Sequence, residues 1–124
     1  MGGPKQLISV VDDDVSVREA LPPLLKSFGY QSEAFESAED FLSSSRMTQT
    51  ECLLLDITMP GMSGPDLQRE LVRKGYDIPV VFITAIHDDE VRAQLLKKGA
   101  VDCLFKPFND DVLEEAVARA LARR

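Results

Sequence analysis

Short apolar runs and longer amphipathic segments alternate along the whole chain. LISVV (7–11), QSEAF (31–35), CLLLD (52–56), PVVFIT (79–84) and VDCLF (101–105) read as five strands. The third is nearly all apolar, as a strand covered on both faces should be, and the second is the weakest of the set. Between and after them, apolar positions fall at helical spacing from about Val15 to Phe28 and over 37–44, 63–75, 88–99 and 109–124. Ser37 with Asp40 and Ser63 with Asp66 have capping-box spacing, Pro65 falls in the first turn of its helix, and Gly29 and Gly75 stop theirs. Pro22 and Pro23 conflict with this pattern, because each removes a backbone donor inside the first helix at a cost of about 3 kcal/mol. Val17, Leu21, Leu24, Leu25 and Phe28 still make one apolar stripe, which favours a single helix kinked near Glu19 to Leu21 over two short pieces.

Strand and helix in strict alternation imply right-handed βαβ units, hence an α/β fold with a central parallel sheet and helices on both faces. Ligands of such sheets bind beyond the carboxyl ends of the strands, where the strand order reverses. Chemistry gathers at that edge here. The first strand runs into Asp12, Asp13 and Asp14, the third ends in Asp56, the fourth in Thr84, and the fifth leads into Lys106. Each residue has a local structural role open to it. One of the three consecutive aspartates can cap a helix, Asp56 can accept from turn amides, Thr84 can bond to backbone, and Lys106 before Pro107 can be a solvated turn residue. None of these roles explains why separate strands deliver the groups to one edge.

Adjacent buried carboxylates repel unless a cation intervenes. An oxygen-rich set without His or Cys suits Mg²⁺, with Mn²⁺ as a substitute, better than Zn²⁺. A carboxylate held beside a metal is also an oxygen nucleophile, and aspartyl phosphates are an established covalent intermediate. Lys106 can pair with a phosphoryl oxygen and Thr84 can donate a hydrogen bond to another.

Composition narrows the field. With 124 residues and 44% hydrophobic content the chain fits one domain, 6–124, preceded by a short segment, 1–5, that reads as a flexible N-terminus or a cloning remnant. A formal net charge of −7 leaves no broad basic field, so this domain is not expected to bind nucleic acid by its own surface. The Arg residues of the terminal ARALARR favour the helix dipole. No apolar segment approaches the roughly 20 residues of a membrane span, and MGGPKQL lacks the apolar stretch of a signal peptide, so a cytoplasmic location is expected. Cys52 and Cys103 lie in apolar runs and read as buried free thiols. The single histidine, His87, cannot build a zinc site and reads as exposed loop structure before a helix.

Taken together, VVDDD (10–14), LLLDITMPGMSG (53–64), FITA (82–85) and KPF (106–108) resemble the receiver (CheY-like) domain of two-component response regulators over nearly the whole chain. Four motifs in this order make a specific signal, where any one alone would be weak. GAVDCLFKPF is similar to FixJ/NarL-like regulators, the FixJ-like ones above all. The resemblance implies a doubly wound (βα)5 three-layer sandwich of flavodoxin-like type, with a five-stranded parallel sheet of order 2-1-3-4-5. It implies that Asp56 is phosphorylated, that Asp13 binds Mg²⁺ directly and Asp12 mostly through water, and that Asp56 and the backbone carbonyl of Thr58 are further ligands. Thr84 and Lys106 would contact the phosphoryl oxygens, and Lys106–Pro107 would be cis. The implied partners are a sensor histidine kinase, a second copy on activation, and a C-terminal helix-turn-helix output domain.

Cys103 departs from the family, which commonly places Tyr or Phe there to swing inward with the threonine. A cysteine lacks that reach, and Phe105 shares its face at period two but lies further along the edge. Thr58 and Ile86 occupy positions that tune access of hydrolytic water, and the apolar Ile86 implies a slowly hydrolysed phosphoryl group. Ala93, Leu95, Leu96 and the Ala-rich last helix are candidates for a contact face. A haloacid-dehalogenase-type aspartyl phosphatase would need a second Asp where Thr58 stands and a cap domain. A flavodoxin-like FMN protein would need a phosphate-cradling loop where three Asp stand. A docking module that is never phosphorylated is the other alternative.

Overall fold

In the computed structural model, which describes residues 5–123, the chain runs β1 (Leu7–Val11), α1 (Val15–Ser27), β2 (Gln31–Phe35), α2 (Ala38–Leu42), β3 (Cys52–Asp56), α3 (Gly64–Arg73), β4 (Val80–Thr84), α4 (Asp89–Lys97), β5 (Asp102–Phe105) and α5 (Asp110–Ala122). All strand pairs are parallel and the sheet order is β2-β1-β3-β4-β5, as the family resemblance implies. The reversal of order at β1 and β3 opens the crevice in which a doubly wound sheet holds its ligands.

Period two along the strands divides the core into two layers. Leu53, Leu55, Val80, Phe82 and Cys103 face α2, α3 and α4 and pack with Phe41, Leu67, Leu71 and Leu95. Ile8, Val10, Leu54, Val81, Ile83 and Leu104 face α1 and α5 and pack with Leu25, Leu113, Val117 and Ala120. Each buried Leu or Ile contributes roughly 1.5–3 kcal/mol of transfer free energy, and β1, β3 and β4 are buried along their full length. The weak second strand is the half-exposed edge of the sheet. Cys52 and Cys103 are free and buried, and burial pushes the Cys52 thiol up to about 12.

Local chemistry sets the helix boundaries. Asp14, Ser37, Ser63, Asp88 and Asn109 cap the five helices. At Ser63 the Asp66 carboxylate also accepts from Ser63 N–H and completes the box, whereas at Ser37 only the bond from Asp40 N–H is made. The second helix stops at Leu42, short of the predicted 44, because the Ser43 hydroxyl donates back to the carbonyls of Glu39 and Asp40 in a serine run that disfavours helix. A 3₁₀ turn at Met47–Gln49, absent from the sequence reading, follows and buries Met47. Gly29, Gly75 and Gly99 adopt positive φ just past their helices, where a Cβ would be strained.

The first helix passes through Pro22 and Pro23 as one span rather than two pieces. Leu21 and Leu25 are buried on either side of the prolines, and that packing offsets the donors they lack.

Two expectations about the last helices change. Leu95, placed on a contact face from sequence, is a core residue, as are Ala116 and Ala120, because helical spacing turns them toward the sheet; Ala93 stays exposed. The basic end of α5 does more than complement a dipole. Arg119 donates to Asp102 at 2.6 Å and Arg123 to the Gly99 carbonyl at 3.0 Å, while Arg92 of α4 donates to Asp102 at 2.7 Å and to the Cys103 carbonyl at 3.0 Å. Asp102 thus ties α4, β5 and α5 together. Met1–Pro4, most of the segment read as a flexible N-terminus or cloning remnant, and Arg124 lie outside the described residues. Lys5, the remainder of that segment, accepts a bond from Gln31 Nε2 at 2.7 Å.

Candidate functional site

Parallel pairing carries the candidate residues to one edge. Val11 pairs with Leu55, so Asp12 and Asp56 follow side by side at the carboxyl ends of β1 and β3. Asp56 pairs with Ile83 and Thr84 with Phe105, which puts the hydroxyl and then Lys106 on the next two strand ends. Carboxylate oxygens of Asp12, Asp13 and Asp56 lie within 4.8 Å of one another. The run of three aspartates divides its work: Asp14 caps α1 by accepting from Ser16 N–H, leaving Asp12 and Asp13 to face Asp56.

Asp12 is fully buried and heavily partnered. One carboxylate oxygen accepts from Asp14 N–H at 2.9 Å and the other from Lys106 Nζ at 2.9 Å. Lys106 supplies one positive charge against three carboxylates. Burial and then the neighbouring charge of Asp12 push the Asp56 carboxyl up to about 7, although Lys106 pulls it down. Hydrogen bonding with Asp12 and Asp13 adds to the rise. The cluster therefore carries more negative charge than its own ammonium balances. A small divalent cation fits it, since the donors are hard oxygens and no His or Cys belongs to the set.

Thr84 is buried, and its Oγ1 accepts from Ile86 N–H at 3.0 Å. Thr58 stands exposed two residues beyond Asp56, and Ile86 is 58% exposed. The Lys106–Pro107 peptide is cis. Cys103 is buried on the same core face as Phe105, as period two predicts, and burial raises its thiol pKa.

Three participants had no assigned role from sequence. Arg18 donates to the Asp12 carbonyl at 2.9 Å, bracing the first acidic turn; its place one helical turn after Asp14 is the available signal. A Cβ on Gly64 would fall 2.1 Å from the Asp56 carbonyl oxygen, so only glycine lets α3 begin against that backbone, where Gly64 N–H donates to the Ile57 carbonyl at 2.9 Å. His87 is on an exposed loop, as expected, but it also stacks on Phe105 with ring centroids 4.9 Å apart and bonds to the Lys106 carbonyl at 2.8 Å. It links the loops that carry Thr84 and Lys106.

Comparison with known proteins gives the same reading of the family. Residues 8–118 match the response regulator receiver domain. The chain is 44% identical to nodulation protein W of Bradyrhizobium diazoefficiens, over 96% of this chain and 52% of that protein. It is 41% identical to the transcriptional regulatory protein TdiR of Thauera aromatica, over 97% of this chain and 53% of that protein. Among solved structures, FixJ-N superposes with a TM-score of 0.87 at 35% identity, covering 100% of this chain and 98% of that one. The chain spans about half the length of the curated relatives it matches. It belongs to the response regulator receiver domain family, with FixJ and other transcriptional response regulators among its relatives.

Proposed function

We propose that this domain is the phosphoacceptor switch of a two-component response regulator. A carboxylate oxygen of Asp56 attacks the phosphorus of a phosphohistidine on a sensor histidine kinase; a P–O bond forms, the P–N bond breaks, and the electron pair returns to the histidine nitrogen. The observation that carries this reading is the convergence of Asp12, Asp13, Asp56 and Lys106 from three strand ends on one cleft. Asp12, Asp13, Asp56 and the backbone carbonyl of Thr58 are the residues to hold Mg²⁺, or Mn²⁺ in its place. Held there, the ion would supply positive charge against the carboxylates and an incoming anionic phosphoryl group.

Lys106, now paired with Asp12, exchanges that partner for a phosphoryl oxygen. The Thr84 hydroxyl gives up its bond from Ile86 N–H and donates to another oxygen, drawing the loop after β4 inward. Water then hydrolyses the acyl phosphate and resets the domain in a self-catalysed step. Ile86 restricts that water and lengthens the phosphorylated state. Cys103 stands at the second switch position, where its short side chain cannot make the inward swing of an aromatic. The output is a C-terminal helix-turn-helix domain of a longer cytoplasmic protein, released or paired through a second copy, and transcriptional regulators among the relatives support it. Among the described residues no helix is long and apolar enough to cross a membrane.

Intact mass after incubation with Mg²⁺ and a small acyl phosphate tests the chemistry. One added phosphoryl group is expected, absent from Asp56→Asn and from a chelator-treated sample. No gain from either the small donor or a phosphorylated histidine kinase, with the chain folded and Mg²⁺ bound, would overturn the reading.

A further inference from the structure

Lys106 is held by its backbone as well as by its ammonium. Its N–H donates to the Thr84 carbonyl at 2.7 Å, and its carbonyl accepts from His87 Nε2 at 2.8 Å. Both partners belong to the end of β4 and the loop that leaves it, so the peptide groups on either side of the Lys106 Cα are tied to one short segment. That segment is itself folded back on Thr84 by the bond from Ile86 N–H to the threonine hydroxyl. A carbonyl oxygen has no proton to give, which assigns the proton of the His87 bond to Nε2. The imidazole also stacks on Phe105, with centroids 4.9 Å apart and planes 16° from parallel. Stack and bond are made to consecutive residues, and together they fix the plane of the ring and the direction of its N–H. Beyond its backbone, the Lys106 side chain is 20% exposed and ends 2.9 Å from Asp12.

We propose that His87 is a positioning residue for phosphotransfer: by holding the Lys106 carbonyl it fixes the direction in which that side chain leaves β5, and so where its ammonium stands at the acidic cluster. The inference rests on the reading of Asp56 as the phosphoacceptor and adds to it a residue that acts only through another. In that reading Thr84 and Lys106 are the two groups that contact phosphoryl oxygens, and His87 is the side chain that ties the loop of one to the backbone of the other. With the link intact, an inward movement of the Thr84 loop carries the carbonyl end of Lys106 with it. Without it, loop and ammonium move separately, and the ammonium has to be placed anew for each transfer. A single hydrogen bond from an exposed ring sets the size of the effect at about three- to tenfold.

His87→Phe keeps a ring to stack without the donor, and His87→Gln keeps a donor of similar reach without the ring; both lie on an exposed loop and leave the core untouched. The first measurement uses the unphosphorylated chain without metal: ¹³C relaxation at Lys106 Cε, with the exposed Lys97 and Lys98 as mobile standards. Lys106 is expected to be more ordered than either in wild type, to lose order toward theirs in His87→Phe, and to lie between in His87→Gln. The second is the rate of phosphorylation by a small acyl phosphate with Mg²⁺, read by intact mass. His87→Phe is expected to slow it about three- to tenfold, His87→Gln to recover part of the loss, and His87→Phe to add nothing in a Lys106→Met background. Unchanged Lys106 order or an unslowed rate in His87→Phe, a His87→Gln rate no better than that of His87→Phe, or slowing that multiplies in the double variant would each overturn the proposal. A wild type that takes up no phosphoryl group would sink the phosphoacceptor reading and the role in transfer together, and the relaxation data then decide alone whether His87 fixes Lys106.

Discussion

Asp56 and Asp102 are both 7% exposed, both belong to the central sheet, and their carboxyl pKa values move in opposite directions. Burial raises each. At Asp56 the charge of Asp12 adds to burial and Lys106 only partly opposes it. At Asp102 the Arg119 guanidinium, the Cys103 N–H and the Arg92 guanidinium together outweigh burial and hold the carboxyl below its ordinary value. One site is a fully partnered strut between α4, β5 and α5. The other is left short of positive charge and is therefore able to accept a cation. Equal burial thus says little about role until the neighbours are counted, and unbalanced charge is what makes Asp56 the candidate functional carboxylate.

Removing each carboxylate separates the two cases. Asp102→Ala strands two guanidiniums and the Cys103 N–H, and a loss of about 2 kcal/mol is expected in urea unfolding at neutral pH. No loss would mean that the strut holds nothing. Asp56→Asn should do the reverse. With a folded pKa of about 7 against an ordinary 3.8, the folded state binds the extra proton, so this group favours folding at low pH and that advantage is lost as pH rises through 7. In chelator at about pH 8 the substitution is expected to stabilise the chain by about 1–2 kcal/mol, shrinking to nothing below about pH 4. A gain independent of pH would break the contrast. Asp102 has the opposite sign: its contribution is present above its unfolded value and lost as pH falls through its lowered folded pKa. The smallest effects belong to the guanidiniums. Arg92→Ala and Arg119→Ala, at 39% and 48% side-chain exposure, are expected to cost about 0.5–1 kcal/mol each, with a double-mutant cycle against Asp102 reading the coupling.

Much of the fold was legible in the chain because its signals are local. Apolar runs at period two and 3.6, Ser63 with Asp66, and the glycine stops depend on residues within a few positions of one another. The strands over 7–11, 31–35 and 52–56 come out with the predicted bounds. Where local signals competed, boundaries moved: the serine run shortened α2 and a 3₁₀ turn took up the slack. At the candidate site, residue types at strand ends were enough to expect Asp12, Asp13, Asp56, Thr84 and Lys106 on one edge, where the fold places them. Arg18 and Gly64 escaped because their roles lie in backbone approach, to the Asp12 carbonyl and the Asp56 carbonyl, which no residue type announces.

By itself the sequence determined the alternation of elements, the parallel sheet with two covered faces, and the set of side chains delivered to its carboxyl edge, since each follows from short-range periodicity and from which residue ends which strand. Only the tertiary structure decided which of three consecutive aspartates caps a helix, that Leu95 belongs to the core, and that Asp102 is balanced while Asp56 is not. The cap is a local bond, but it is Asp14's because Asp12 and Asp13 are turned toward Asp56, and the other outcomes likewise depend on distances between groups far apart in the chain, which exist only once packing has fixed them.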